Sequence, residues 1–253
     1  MTRKQQSIGF SQRIRLDWLQ YTADLALAGS SKDEIFAALR ERLRDRLSVG
    51  RDPERGNREK AITILAKVWV TVPNELQSSR DEGLELIQRL PAGDRMLVHW
   101  CMCMAAYPFF GTVAEATGRL LRLQETASAA QVQRRVREQF GERETVSRAA
   151  RRILRAFLDW GVLAETGKNG IYRGVSKRVV DEVSLILWVV KTVLVAKAEG
   201  SLSLPTALRS PGLFAFDIVL PPIRALEGCN FIQITRQGLD QEIFLGLKKA
   251  ASA

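Results

Sequence analysis

Residues 128–174 read SAAQVQRRVREQFGERETVSRAARRILRAFLDWGVLAETGKNGIYRG, and their punctuation predicts two helices, a tight turn between them and a hairpin after them. Ser128 with Gln131 has capping-box spacing, in which a hydroxyl and an amide each satisfy one orphan backbone N–H at a helix start. The first helix is expected to run to about Gln139. Gly141 is free to take positive φ, so the chain turns there, and residues 142–145 open the second helix. Gly161 ends that helix, Val162 and Leu163 begin a strand, Lys168, Asn169 and Gly170 suit a hairpin tip, and Ile171 to Arg173 return. This is the order of a winged helix-turn-helix.

The second helix carries the functional signal. At 100° per residue, Val146, Ala149, Ala150, Ile153, Leu154 and Phe157 share one face, while Arg148, Arg151, Arg152 and Arg155 fall on the opposite one. Between positions 134 and 155 eight arginines face three glutamates, a balance of +5 and half of the chain's net +10. Guanidinium groups pair with phosphate oxygens in a planar two-pronged geometry and match the major-groove edge of guanine. Arg143, Ser147, Arg148 and Arg151, near the helix start and outward, are the expected groove contacts. Arg134, Arg135, Arg152, Arg155, Lys168 and Arg173 are the expected phosphate contacts. The competing interpretation is an ordinary solvated Arg-rich helix.

Composition narrows the class. The 253 residues are 46% hydrophobic and 26% charged, as in a soluble chain long enough to bury a sizeable core, and a pI near 9.9 suits a polyanionic partner. Cys101, Cys103 and Cys229 cannot form a disulfide framework and lack zinc-site spacing with the single histidine, which suits a reducing cytoplasm. No apolar h-region marks a secretory signal. The apolar run at 183–196 is interrupted by Lys191 and predicts a buried helix rather than a membrane span.

Taken in order, residues 1–10 are expected to be mobile and 13–28 to form an amphipathic helix with Ile14, Trp18, Tyr21 and Leu25 on one stripe. Ser31 with Glu34 caps a helix that buries Ile35, Leu39, Leu43 and Leu47, while its arginines at 40, 42, 44 and 46 share no single face. A loop at 48–58 precedes a helix from Asn57 to Val70, and Ser79 with Glu82 is read as the cap of the next. Residues 94–106 form a central apolar helix; Cys101 and Cys103, two apart and so diverging by about 200°, are read as core fillers, and His99 as a buried imidazole because no partner constellation is visible. YPFFG, 107–111, is read as an aromatic joint. A helix over 112–124, with Val113, Ala116, Leu120 and Leu123 inward, completes a three-helix unit with its wing. A long helix over 176–198 is expected next. A strand in 214–220 and a hairpin from 231–235 and 242–247 then make a small cap with a surface for self-association.

Enzyme signatures are missing. No GxxxxGK[ST], strand-linked GxGxxG, HExxH or GxSxG occurs. A nuclease would need metal-held carboxylates, and Asp217 has no acidic and lysine companions in the following strand, FIQITRQ. Asp81, Glu82 and Glu85 are read as a solvated helix start. No cofactor or metal is expected.

MLVHWCMCMAAYPFFGTVAEATGRLLRLQ (96–124) and VSRAARRILRAFLDWGVLAE (146–165) resemble, in layout more than in letters, the small BrxA proteins of bacterial BREX phage-resistance systems. The resemblance implies a helical front followed by a winged unit, and a non-enzymatic DNA-binding role beside larger methyltransferase and ATPase components. The tail after residue 200 is longer than that family leads one to expect.

The expected architecture is therefore mainly α. It comprises an N-terminal helical bundle (1–111), a central winged helix-turn-helix (112–178) and a small C-terminal α/β cap with a β-hairpin (179–253). The expected partner is double-stranded DNA, with other defence-system proteins beside it and no membrane. The alternatives are a scaffold subunit whose winged domain contacts a protein, and a transcriptional regulator.

Overall fold

The computed structural model describes residues 8–48, 56–197, 201–229, 232–237 and 242–247. Five helices come first: α1 (Leu16–Leu27), α2 (Lys32–Arg42), α3 (Asn57–Trp69), α4 (Gln77–Arg89) and α5 (Arg95–Ala106). The α2 capping box forms as expected. Ser31 Oγ accepts from Glu34 N and the Glu34 carboxylate accepts from Ser31 N, which holds that carboxyl below its ordinary pKa. The α2 helix stops at Arg42, earlier than expected. Three of the four arginines expected on it pair locally, Arg40 with Glu59, Arg42 with Asp17 and, just past the helix end, Arg44 with Glu41. The Ser79/Glu82 cap does not form. A 3-10 turn at Asn74–Leu76 leads straight into α4, so Ser79 lies inside the helix and is buried, and Glu82 instead pairs with Lys191. Most of the loop at 48–58 lies outside the described residues.

Residues 8–10 have a fixed place, contrary to the expected mobility. Phe10 is fully buried against the rings of Tyr107 and Phe110. The α5 helix is the central one, with every residue from Met96 to Cys103 buried; both cysteines are free, and burial raises their thiol pKa values. The aromatic joint reduces to Tyr107. Pro108 takes the first position of α6 (Pro108–Gln124), where its missing N–H has no helical acceptor to lose, and the helix pair bends by 117°. In α6 Val113, Ala116 and Leu120 face inward, but Leu123 is 75% exposed.

His99 packs edge-on against Trp69, and its Nε2 lies 3.1 Å from Gln20 Oε1. Gln20 donates its amide to Asp24, which turns Oε1 toward the imidazole. Nδ1 is buried without a partner, so the ring is only half satisfied. Burial, with Arg95 nearby, holds the His99 pKa down to about 3. The unfolded chain then binds a proton below about pH 6.5 that the folded chain refuses. Stability tied to His99 is complete above that pH and is lost as pH falls toward 3, at up to about 1.4 kcal/mol per pH unit. Because the chain has one histidine, its imidazole NMR signals should stay in the neutral position from pH 7 to 4. A midpoint near 6.5 in the folded protein would contradict this.

After α6 come β1 (Thr126–Ser128), α7 (Ala129–Phe140), α8 (Glu144–Asp159), β2 (Leu163–Glu165) and β3 (Ile171–Gly174). The three strands form one antiparallel sheet in the order β1-β3-β2, with Ala127 opposite Tyr172 and Ala164 opposite Arg173. The Ser128/Gln131 capping box forms, and Gly141 and Gly161 take φ of 89° and 68°.

The long helix expected over 176–198 is shorter. Arg178–Val180 is a strand, β4, paired parallel with β6 (Phe216–Ile218), and α9 (Val183–Lys197) begins only where the Glu182 carboxylate accepts from Leu185 N and Ser184 Oγ. The lysine that interrupts this apolar helix reaches Glu82 and Ser78 Oγ. No single helix among the described residues is long and apolar enough to cross a membrane. Between α9 and β6 lie β5 (Ser201–Ser203), α10 (Leu204–Leu208) and a 3-10 turn at Pro211–Leu213. After β6 come α11 (Ile223–Glu227), β7 (Ile232–Gln237) and β8 (Glu242–Leu247). The expected hairpin pairs as β7 and β8, with β5 added on the other side of β8; its turn at 238–241 lies outside the described residues. One hydrophobic core runs from Phe10 to Leu245, and α6 crosses the boundary expected at 111/112.

Candidate nucleic-acid interface

The α8 helix is divided lengthwise. Val146, Ala149, Ala150, Ile153, Leu154, Ala156 and Phe157 are buried, whereas Glu144, Arg148, Arg151 and Arg155, at spacings of three and four, are exposed. The apolar half fixes the helix on α6 and α7 and so fixes the direction of the arginine ridge. Arg148 and Arg155 make no hydrogen bond or ion pair with any described residue. Arg151 reaches Glu144 at 3.3 Å, and both side chains remain more than half exposed. Such a pair contributes about 0–1 kcal/mol and yields readily to a stronger anion.

The other expected contacts divide into four groups. Arg134 on α7, Lys168 at the hairpin tip and Arg173 on β3 are exposed. Arg143 is exposed at the N-cap of α8 and donates to Phe140 O at 3.1 Å, so part of its guanidinium serves the turn. Arg135 and Arg152 are half-buried. The Arg135 Nε has no hydrogen-bond partner, and Arg152 Nη1 donates to Ser11 O. Ser147, expected in the groove, is 5% exposed and belongs to the buried side of α8, so its hydroxyl does not face outward with the arginines.

Other features of the interface have no local signature in the sequence. Strand β1 joins the sheet and brings the start of α7 beside the hairpin tip, where Ala129 N donates to Gly170 O at 2.8 Å. A concavity of about 440 Å³ lies there, lined by Ala129, Ala130, Gln133, Arg151, Asn169 and Gly170 among others. A second, of about 350 Å³, is lined by Arg13, Arg148, Arg151, Arg152 and Arg155 with Glu144. Arg151 stands between the two. Burial, and then the charge of Arg148, lower the Arg152 pKa, as expected where cations crowd without enough counter-charge. Among the described residues no group of three or more His, Cys, Asp or Glu side chains could hold a metal ion, and Asp217 on β6 is exposed.

No family model, curated protein or solved structure matches this chain.

Proposed function

We propose that this protein is a non-catalytic DNA-binding protein whose residues 108–174 act as a winged helix-turn-helix, with α8 in a major groove and the β2–β3 hairpin as its wing. The observation that carries the reading is the ridge of Arg148, Arg151 and Arg155, exposed along a helix whose opposite half is locked into the core. The strand order β1-β3-β2 supports it, because the hairpin tip then lies beside the start of α7, and Lys168 at that tip and Arg173 on β3 are both exposed. Arg143, Arg148 and Arg151 then meet base edges, where guanidinium favours guanine, and Arg134, Arg155, Lys168 and Arg173 hold phosphates. On the resemblance to the BrxA proteins, the role is that of an accessory component of a bacterial phage-defence system.

Fluorescence anisotropy with a random duplex tests this. Affinity should fall steeply between about 50 and 200 mM salt, since each neutralised phosphate releases condensed counterions. Arg148→Ala with Arg151→Ala should weaken binding by about 1–3 kcal/mol for each groove arginine removed. Undiminished binding by the double variant would remove the assignment of α8 as the groove helix, and binding indifferent to salt would favour a protein partner with an apolar contact.

A further inference from the structure

Residues 8–15 lie outside α1, as a strap across the second half of α8. Four anchors hold it. Phe10 is sunk between Tyr107 and Phe110, the Ser11 carbonyl takes Arg152 Nη1, Gln12 donates to Asn57 at 3.2 Å, and the Ile14 carbonyl takes Trp160 Nε1 at 3.0 Å. Gln12 and Ile14 are buried while Arg13 and Arg15 are exposed, the alternation of an extended chain with one face against a core. Arg13 grips Asp159, the last residue of α8, through Nε and Nη2 at 2.5 Å each; the other N–H groups of the fork stay open on a side chain 44% exposed. Its charge therefore lines the 350 Å³ basin together with Arg148 and Arg155.

We propose that this strap is a second wall of the nucleic-acid interface. Arg13 and Arg15 bind the phosphate backbone of the duplex that α8 enters, and the basin between strap and helix seats one backbone phosphate. The inference rests on the reading of α8 as the groove helix. Helix length supports the division of labour: sixteen residues span about 24 Å, twice the roughly 12 Å width of the major groove. The second half of α8 must therefore pass the phosphate ridge, and that half is where the strap lies. Five guanidinium groups meet two carboxylates at the basin, Glu144 engaged with Arg151 and Asp159 engaged with Arg13, so an incoming phosphate still meets a surplus of donors.

The test uses the full chain and a labelled random duplex, with Arg44→Gln as a control for charge removed elsewhere. Arg13→Gln should weaken binding about threefold to tenfold at about 100 mM salt and flatten the salt dependence by about one unit of log slope; the control should do neither. Arg15→Gln should flatten the slope in the same way, and since Arg15 makes no ion pair or side-chain hydrogen bond among the described residues, it leaves the strap's anchors intact. Asp159→Asn separates contact from clamp. It breaks the grip on Arg13 but removes a negative charge from the rim, so binding should hold or tighten up to about threefold. Wild-type affinity and slope in both Arg13→Gln and Arg15→Gln would overturn the inference. So would an Asp159→Asn protein weakened as much as Arg13→Gln, which would make Arg13 only a fastener. If these variants bind normally while Arg148→Ala with Arg151→Ala does not, the strap assignment fails and the α8 reading stands; if none has an effect, both fail.

Discussion

Trp100→Ala is expected to remove about 3–5 kcal/mol of folding stability, seen as a fall in the urea midpoint. The indole is fully buried and stacks on Phe157 of α8 at 4.8 Å, with its edges or faces toward Phe110, Trp160, Phe214 and Phe216 at 5.4–5.7 Å. One side chain thus joins α5, α6, α8 and the segment before and within β6. Its Nε1 also donates to Gly212 O at 2.9 Å, so truncation leaves a buried carbonyl unpaired, worth about a further 1–3 kcal/mol. Against a total of about 5–15 kcal/mol this approaches global unfolding. Trp100→Phe keeps most of the ring packing but forfeits the hydrogen bond, and should fall clearly between the wild type and Trp100→Ala. A loss below about 1 kcal/mol for the alanine variant would mean that these rings do not form one core. Because Phe157 shares the helix with Arg148 and Arg151, the same truncation should loosen the arginine ridge.

What the letters reveal depends on how local the cause is. The capping boxes at Ser31 and Ser128, the positive φ at Gly141 and Gly161, and the two-sided character of α8 are each decided within a few residues, and all are legible in the sequence itself. The same S-x-x-E pattern misleads at Ser79 because a 3-10 turn has already started the helix, and the Ser79 carbonyl instead receives Trp188 Nε1 from α9. Strands β1 and β4 escape notice because each has only three residues, and their partners lie 45 and 38 positions further on. Nothing in TAS or RVV alone selects those partners. The candidate interface divides the same way. Arg148, Arg151 and Arg155 follow from helical period. Arg13 does not, since its place beside them depends on Asp159, 146 residues away. Ser147 shows the limit of a helical wheel, which tells which residues share a face but not how wide an arc the neighbours cover.

The sharpest disagreement between helix propensity and packing lies at Gly118, in the middle of α6. Propensity alone makes Gly118→Ala stabilising, by up to about 1 kcal/mol, because glycine is a poor helix former. Packing demands the opposite sign. A Cβ at this position would lie 1.9 Å from Pro211 O and 2.8 Å from Pro211 C, with Phe214 Cβ at 2.9 Å. Two of these are backbone atoms of the 3-10 turn that α6 carries, and that turn is tied to Trp100 through Gly212 O, so it cannot retreat by a rotamer change. Separating turn from helix would also pull Phe214 from its place beside Trp100 and Phe157. The destabilisation should therefore reach or exceed the roughly 1–3 kcal/mol typical of overpacking. Gly174→Ala offers the contrast: its Cβ would meet only Leu121 Cδ1, at an ordinary 3.7 Å. Thermal melts of the two variants decide the matter. A Gly118→Ala protein that melts at or above the wild-type temperature would show that the 3-10 turn does not rest on α6. The path by which the C-terminal segment braces α6 behind the arginine helix would then be wrong.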